Sequence, residues 1–483
     1  MPAIAKTPPG PLHDIFLEEG IFHGTTAKDL VGGVRLFRVR WQLMRNQTGF
    51  LNVFLLLSIT PALAGNSNLT LDAYIAPYVA ADDFSGIVLV ARGDNVLYQT
   101  TVGFANIDIH SPVEKQTRFL VGSVAKTFTA AGIELLEKHG KLAYDDPLSR
   151  FVPEYRYSTQ ITLRQLLAHE AGVPDFYAVT RFAQDRESHL SLPAIAHWLS
   201  DFPLDFKPGS RSNYSNSGYS LLALAIERAS GQSYAEFLQA RIFKPLGMMD
   251  SGAFLSVSTT NLATGYDAAP GPQFLQKSHG IDTGWLVGNG YVYSTAADLS
   301  RWLDVANAQT VINFKTLPYP YGWGMHKEGG YTLLEQDGRI PGYTSSISID
   351  PTNSMKVVVL SNVQDNAASR ISNDVRSLVL GTSISPPAER PTAVLAPDKG
   401  GDYAGVYALG ESLRLRITAE NGNVFLQNET DRIPIVLDPT GPDHFFFRTL
   451  YVPLIFLRAA DGRVNAMRWN DQFTLAKTEL SRK

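Results

Sequence analysis

The strongest constraint on the fold is that strand-like runs stand at both ends of a long segment whose middle reads as helix. Near its start, residues 84–91 and 96–102 are β-branched, apolar stretches around Arg92-Gly93-Asp94-Asn95, which predicts a hairpin. Far along the chain, residues 343–349 and 355–360 repeat the pattern about a Pro351-Thr352-Asn353 turn. Between them, residues 148–303 are Gly/Pro-punctuated and mostly helical in pattern, and further helices are predicted over 69–81 and 367–380. Strands must find partners, so the two distant pairs predict one antiparallel sheet. Helices would pack on it, and a helical subdomain would be inserted between its halves.

The pattern changes after Ser385-Pro386-Pro387-Ala388-Glu389-Arg390-Pro391, a linker by composition. Short alternating strands follow at 412–418, 423–426, 444–447, 454–457 and 464–469, with hairpin turns at Asn421-Gly422 and Asp461-Gly462. The fold class expected is therefore α+β over residues 65–383, a linker over 384–398, and a small all-β barrel over 399–483.

The first 64 residues read as a leader. Met44-Arg45 opens a basic stretch, residues 50–59 are apolar, and Ala62-Leu63-Ala64 is a small-residue cleavage site. The apolar run is too short to span a bilayer comfortably. Residues 44–64 are thus expected to be a signal peptide and 1–43 a start-site extension. The mature chain would be exported, to a bacterial periplasm or outside the cell, with no stable membrane span after cleavage.

Charge and composition exclude several chemistries. With 42 Lys and Arg against 46 Asp and Glu, and no basic run, the chain lacks a footprint for nucleic acid. The absence of cysteine removes disulfides, thiolate metal sites and thiol catalysis. The ten histidines are scattered, and His169-Glu170-Ala171-Gly172 lacks the second histidine of a zinc-binding helix. No metal and no cofactor are expected.

Three clusters carry chemistry. In Gly122-Ser123-Val124-Ala125-Lys126, a serine precedes a lysine by three residues at the mouth of a predicted helix. Positions i and i+3 share a helix face, so an ammonium there reaches the hydroxyl. The same pattern also describes a capping serine beside a surface lysine. In Asn213-Tyr214-Ser215-Asn216, before a helix predicted over 221–229, a phenol and an amide flank one serine. That loop suits either a proton relay or a simple cap. In Glu335-Gln336-Asp337-Gly338-Arg339-Ile340-Pro341-Gly342-Tyr343, glycines permit close backbone approach at a strand edge, or simply close a hairpin.

Together these clusters resemble the serine β-lactamase and penicillin-binding-protein superfamily, in its class C-like branch of carboxypeptidases, D-aminopeptidases and esterases. The resemblance extends through residues 161–174, similar to that branch's I-T-x-x-x-L-L-x-H-x-S-G-x-P, and through Tyr234-Ala235-Glu236-Phe237 with Ile242-Phe243-Lys244-Pro245-Leu246-Gly247-Met248. Ser294-Thr295-Ala296-Ala297-Asp298-Leu299 is similar to its S-T-A-x-D-L. The C-terminal unit resembles the lipocalin-like barrel that often follows this catalytic domain.

The resemblance implies catalytic roles for Ser123, Lys126 and Tyr214. Ser123 is the acylated nucleophile, and the base is either a neutral Lys126 or a Tyr214 phenolate. It implies substrate binding by Asn216, Gln336, Gly338 and Arg339, with the oxyanion held by the Ser123 and Arg339 backbone amides. The third motif departs from the family. Most relatives carry Lys or His where this chain has Gln336, and Asp337 adds a carboxylate. Ligands with a free carboxylate should bind poorly beside it. The expected activity is that of a serine hydrolase, an esterase or D-amino-acid peptidase or amidase rather than an efficient penicillin hydrolase. The expected partner is a small-molecule or short-peptide ester or amide, with peptidoglycan association left open. The alternatives are a β-lactamase or DD-carboxypeptidase, and a non-catalytic sensor of peptidoglycan or β-lactams. A Ser-His-Asp triad of the α/β-hydrolase kind is disfavoured because no G-x-S-x-G elbow occurs.

Overall fold

The computed structural model describes residues 70–253, 260–269, 275–308, 322–328, 331–379, 384, 387, 393–396, 398–410, 413–428, 434–470 and 472–478. The expected leader lies outside them. Six strands form the main sheet: β1 (Gly86–Arg92), β2 (Asn95–Val102), β3 (Gly324–Glu328), β4 (Tyr331–Ile340), β5 (Tyr343–Asp350) and β6 (Met355–Ser361). Their order is β2-β1-β6-β5-β4-β3, every pair antiparallel. The chain thus enters at one edge, leaves for more than two hundred residues, and returns to complete the sheet, as the separated strand pairs predicted.

Both faces of the sheet are covered, which explains why its central strands are apolar runs rather than alternating ones. Ile87, Leu89, Val358 and Leu360 enter one core, while Val88, Val90, Val357 and Val359 enter another. The second face is capped by α1 (Leu71–Ala80) and a C-terminal helix. The first packs on α4 (Ala296–Ala308) and shares its core with α2 (Ala125–Lys138) and α3 (Asn216–Ser230). The C-terminal helix is α5 (Ala367–Val379).

Two local details differ from expectation. The helix predicted to start at residue 221 begins at Asn216, because the Ser215 hydroxyl caps it by accepting from the Gly218 N–H at 3.1 Å. Asn216 is therefore fixed in the first turn of a buried helix rather than in a loop. The third motif lies inside β4, which runs straight to the two-residue Pro341-Gly342 turn.

The C-terminal unit is a closed antiparallel barrel of eight strands, β7 (Gly405–Leu409), β8 (Leu413–Glu420), β9 (Asn423–Asn428), β10 (Ile435–Gly441), β11 (His444–Phe447), β12 (Val452–Arg458), β13 (Val464–Trp469) and β14 (Phe473–Thr478). Closure is made by β7 pairing with β14. Leu415, Ile417, Leu426, Leu454, Phe456 and Met467 fill its interior. Among the described residues, no helix is long and apolar enough to cross a membrane.

Candidate active site

Ser123 sits in a single 3-10 turn, Gly122–Val124, that feeds directly into α2. The turn exists because Gly122 adopts a left-handed φ of +52° and because β4 passes against it. A Cβ on Gly122 would lie 2.6 Å from the Arg339 nitrogen, and one on Gly338 would lie 2.0 Å from the Val121 carbonyl oxygen and 3.0 Å from the Ser123 nitrogen. The Ser345 hydroxyl on the neighbouring β5 holds the turn against the sheet by donating to the Val121 carbonyl at 2.7 Å. Two glycines thus hold the Ser123 and Arg339 amides side by side, the pair expected to receive an oxyanion.

Lys126 lies one turn on, with only 1% of its surface exposed. Its Nζ bonds to Ser123 Oγ at 3.0 Å, to Asn216 Oδ1 at 2.7 Å and to the Asn289 carbonyl at 2.8 Å. These partners are a hydroxyl, an amide and a carbonyl, none charged. Burial drives the Lys126 pKa down from 10.5 to about 7, against a smaller upward pull from Asp175. Tyr214 completes the cluster, its hydroxyl donating to Ser123 Oγ at 2.8 Å. The Lys126 ammonium also stands 4.8 Å from the centre of the Tyr214 ring.

A second tier holds these groups. The Asn216 amide donates through Nδ2 to Asp175 Oδ2 at 2.9 Å, which turns Oδ1 towards Lys126. Asn289 is anchored by Nδ2 donation to Ser220 Oγ at 2.9 Å and to the Trp285 carbonyl at 2.7 Å. His169 stacks on Tyr214, with ring centres 4.6 Å apart, and its Nδ1 accepts the Ser215 N–H at 3.1 Å. Burial, reinforced by Lys126, holds its pKa down to about 3, so the ring is neutral and positions Tyr214 without titrating.

Tyr214, Ser123, Lys126 and Asn216 are therefore joined, in that order, by one chain of hydrogen bonds. Gly338 and the Arg339 backbone adjoin them. Gln336 turns along its own strand and donates to the Asp337 carbonyl at 2.8 Å, while the Asp337 side chain is exposed. The Arg339 guanidinium bonds to Asn366 Oδ1 at 2.8 Å. Of the aromatic residues flanking the site in sequence, Trp285 is fully buried against Phe176, Phe182 and Trp198, Tyr291 is buried, and Tyr177 is half-buried against Phe176. Sequence reasoning missed Asp175 and Asn289. Asn289 had a local signal in the flanking Gly288 and Gly290; Asp175 had only its place after Gly172-Val173-Pro174. Among the described residues no cluster of His, Asp and Glu is arranged to hold a metal ion.

A serine bonded to a buried lysine and a tyrosine, at the N-terminal end of a helix beneath an antiparallel sheet, defines the β-lactamase-related class of serine hydrolases. The chain matches the Beta-lactamase family over residues 71–381 and belongs to it. It is 27% identical to "Penicillin-binding protein 4*" of Bacillus subtilis, over 80% of this chain and 93% of that protein. A D-aminopeptidase of Brucella anthropi is 25% identical over 62% of this chain and 60% of its own length. The crystal structure of a penicillin binding protein from Bacillus halodurans superposes with a TM-score of 0.56 at 26% identity, covering 64% of this chain and 99% of that one.

Proposed function

We propose that this enzyme hydrolyses neutral or amine-bearing esters or amides through an acyl-enzyme on Ser123. The observation that carries the reading is Lys126, buried among uncharged partners with a pKa brought to about 7. A lysine neutral for half the time at pH 7 accepts the Ser123 proton as Oγ attacks the carbonyl carbon. Tyr214, bonded to the same Oγ, is placed to pass a proton to the leaving alcohol or amine. The Ser123 and Arg339 amides would hold the oxyanion, an interaction typically worth about 3 kcal/mol per donor in the transition state. Water then attacks the acyl carbon and restores the serine.

The substrate class follows from the third motif. Gln336 carries no charge, Asp337 presents an exposed carboxylate, and the Arg339 guanidinium is engaged by Asn366. This arrangement disfavours a ligand carboxylate and favours a neutral group or an ammonium. The sequence likeness to a D-aminopeptidase supports the same choice. A second reading, covalent capture of penicillin or of a peptidoglycan stem peptide, is favoured by the likeness to penicillin-binding protein 4* across most of the chain.

Steady-state assays with p-nitrophenyl esters, D-amino-acid p-nitroanilides and nitrocefin separate the two. Turnover of an ester or anilide, lost in Ser123→Ala, with nitrocefin poorly used, is the expected result. Efficient nitrocefin hydrolysis, with kcat/KM of about 10⁴ M⁻¹s⁻¹ or more, refutes it. We further propose that the mature enzyme is exported and begins at Gly65; N-terminal sequencing of the cellular form tests this.

A further inference from the structure

The barrel reaches into the catalytic unit at the segment behind Arg339. Residues 448–451, between β11 and β12, form a tight turn in which Tyr451 has a left-handed φ of +59° and its N–H donates to the Arg448 carbonyl at 3.0 Å. Phe446 and Tyr451 leave the barrel core and join the apolar cluster of Tyr74, Tyr78, Val88 and Val357. Between them Arg448 is buried, pairing with Asp83 at 3.1 Å and with Asp438 of its own unit. Tyr451 adds a hydrogen bond to Asp83 at 3.0 Å. A guanidinium taken out of water this completely is held only by well-placed partners, and removing one side leaves buried charge behind.

From this peg two short paths run to β4. The Arg448 carbonyl accepts the Asn366 N–H at 3.4 Å, and Asn366 Oδ1 accepts the Arg339 guanidinium at 2.8 Å. The neighbouring Asp365 carbonyl accepts from Thr344 Oγ1 at 2.9 Å, and Thr344 faces Arg339 across the β4–β5 pair. We propose that Arg448 is a positioning residue for acyl transfer, its turn clamping residues 365 and 366 against Arg339 and so fixing the amide beside Ser123. The barrel is then part of the hydrolase machinery. This rests on the reading of Ser123 as nucleophile and Arg339 N–H as oxyanion donor.

The test is steady-state and single-turnover hydrolysis of a p-nitrophenyl ester by the full-length enzyme, with thermal unfolding of each variant. Arg448→Ala is expected to lower kcat about 10- to 100-fold, the range for a misplaced oxyanion donor, with KM within about twofold of wild type. Leu415→Ala, a cut of a fully buried barrel side chain on β8, away from this turn, should lower the melting temperature yet leave kcat within about twofold. Asn366→Ala should slow the reaction in the same direction, and Arg448→Ala/Asn366→Ala should be no slower than Arg448→Ala. Should Arg448→Ala fail to fold, Asn366→Ala against Leu415→Ala makes the same comparison. Wild-type kcat in the Arg448 and Asn366 variants, equal slowing by Leu415→Ala, or fully additive losses overturns the proposal. Activity surviving in Ser123→Ala instead removes the hydrolase reading beneath it.

Discussion

If Lys126 is the base, the rate of acylation must follow its neutral fraction. A fall in pKa from 10.5 to about 7 amounts to about 5 kcal/mol of differential interaction between charged and neutral forms. At pH 7 about half the enzyme then holds a neutral lysine, at pH 6 about a tenth, and at pH 5 about a hundredth. The logarithm of kcat/KM for a non-ionising p-nitrophenyl ester should rise with unit slope below pH 7 and level off above it. Stopped-flow release of p-nitrophenol under single-turnover conditions isolates the step. Asp175 pulls the lysine pKa upward, so Asp175→Asn should move the acid limb to lower pH. A profile flat from pH 5 to pH 8, an inflection near 10, or a limb displaced upward by Asp175→Asn would refute Lys126 as base.

Stability should report the same shift in a different pH window. Between pH 7 and 10.5 the unfolded chain keeps the Lys126 proton while the folded chain has lost it, so this residue makes stability rise with pH through that window. Below pH 7 both states are protonated and the burial penalty is felt in full. Lys126→Met should therefore be inactive yet more stable at pH 6 by about 2 kcal/mol, the roughly 5 kcal/mol gain being offset by the bare Asn216 and Asn289 oxygens. That gain in a urea titration should shrink towards pH 10. Gly122→Ala meets both a positive φ and a backbone nitrogen 2.6 Å from the new methyl, so it should abolish hydrolysis and cost about 2 kcal/mol or more; a fully active variant would count against the packed amide pair. Gln336→Lys restores a cation to the third motif and should speed covalent labelling by a fluorescent penicillin about tenfold, read as the second-order rate of Ser123 acylation.

Much of this enzyme is readable from its chain because its signals are local. Ser123 and Lys126 declare themselves by a one-turn spacing, and the valine-rich strands by their length. What was hidden depends on pairings that spacing does not encode. The third motif reads as a hairpin loop until β4 is seen running straight through Asp337 to Ile340. Asn289 acts through its main-chain carbonyl, which any residue could supply, so its side chain advertises nothing. Asp175 accepts from Asn216, which lies 41 residues further along the chain. In the barrel, β10 is absent from the predicted strands because Asp438, Pro439 and Gly441 outweigh the apolar Ile435, Val436 and Leu437. Arg448 was illegible for another reason: its partner Asp83 lies in the other unit, at the far end of the sequence.

The contact between the Ser123 turn and β5 joins segments 224 residues apart along the chain at its Val121–Ser345 hydrogen bond. Such pairings form late, because the loop between them must be closed before they contribute. The chain therefore has no catalytic centre until β4 and β5 have been made and docked, however well its serine helix is formed. Activity recovered during refolding reports the closing of this long-range contact, and the lag between helix signal and activity times that event.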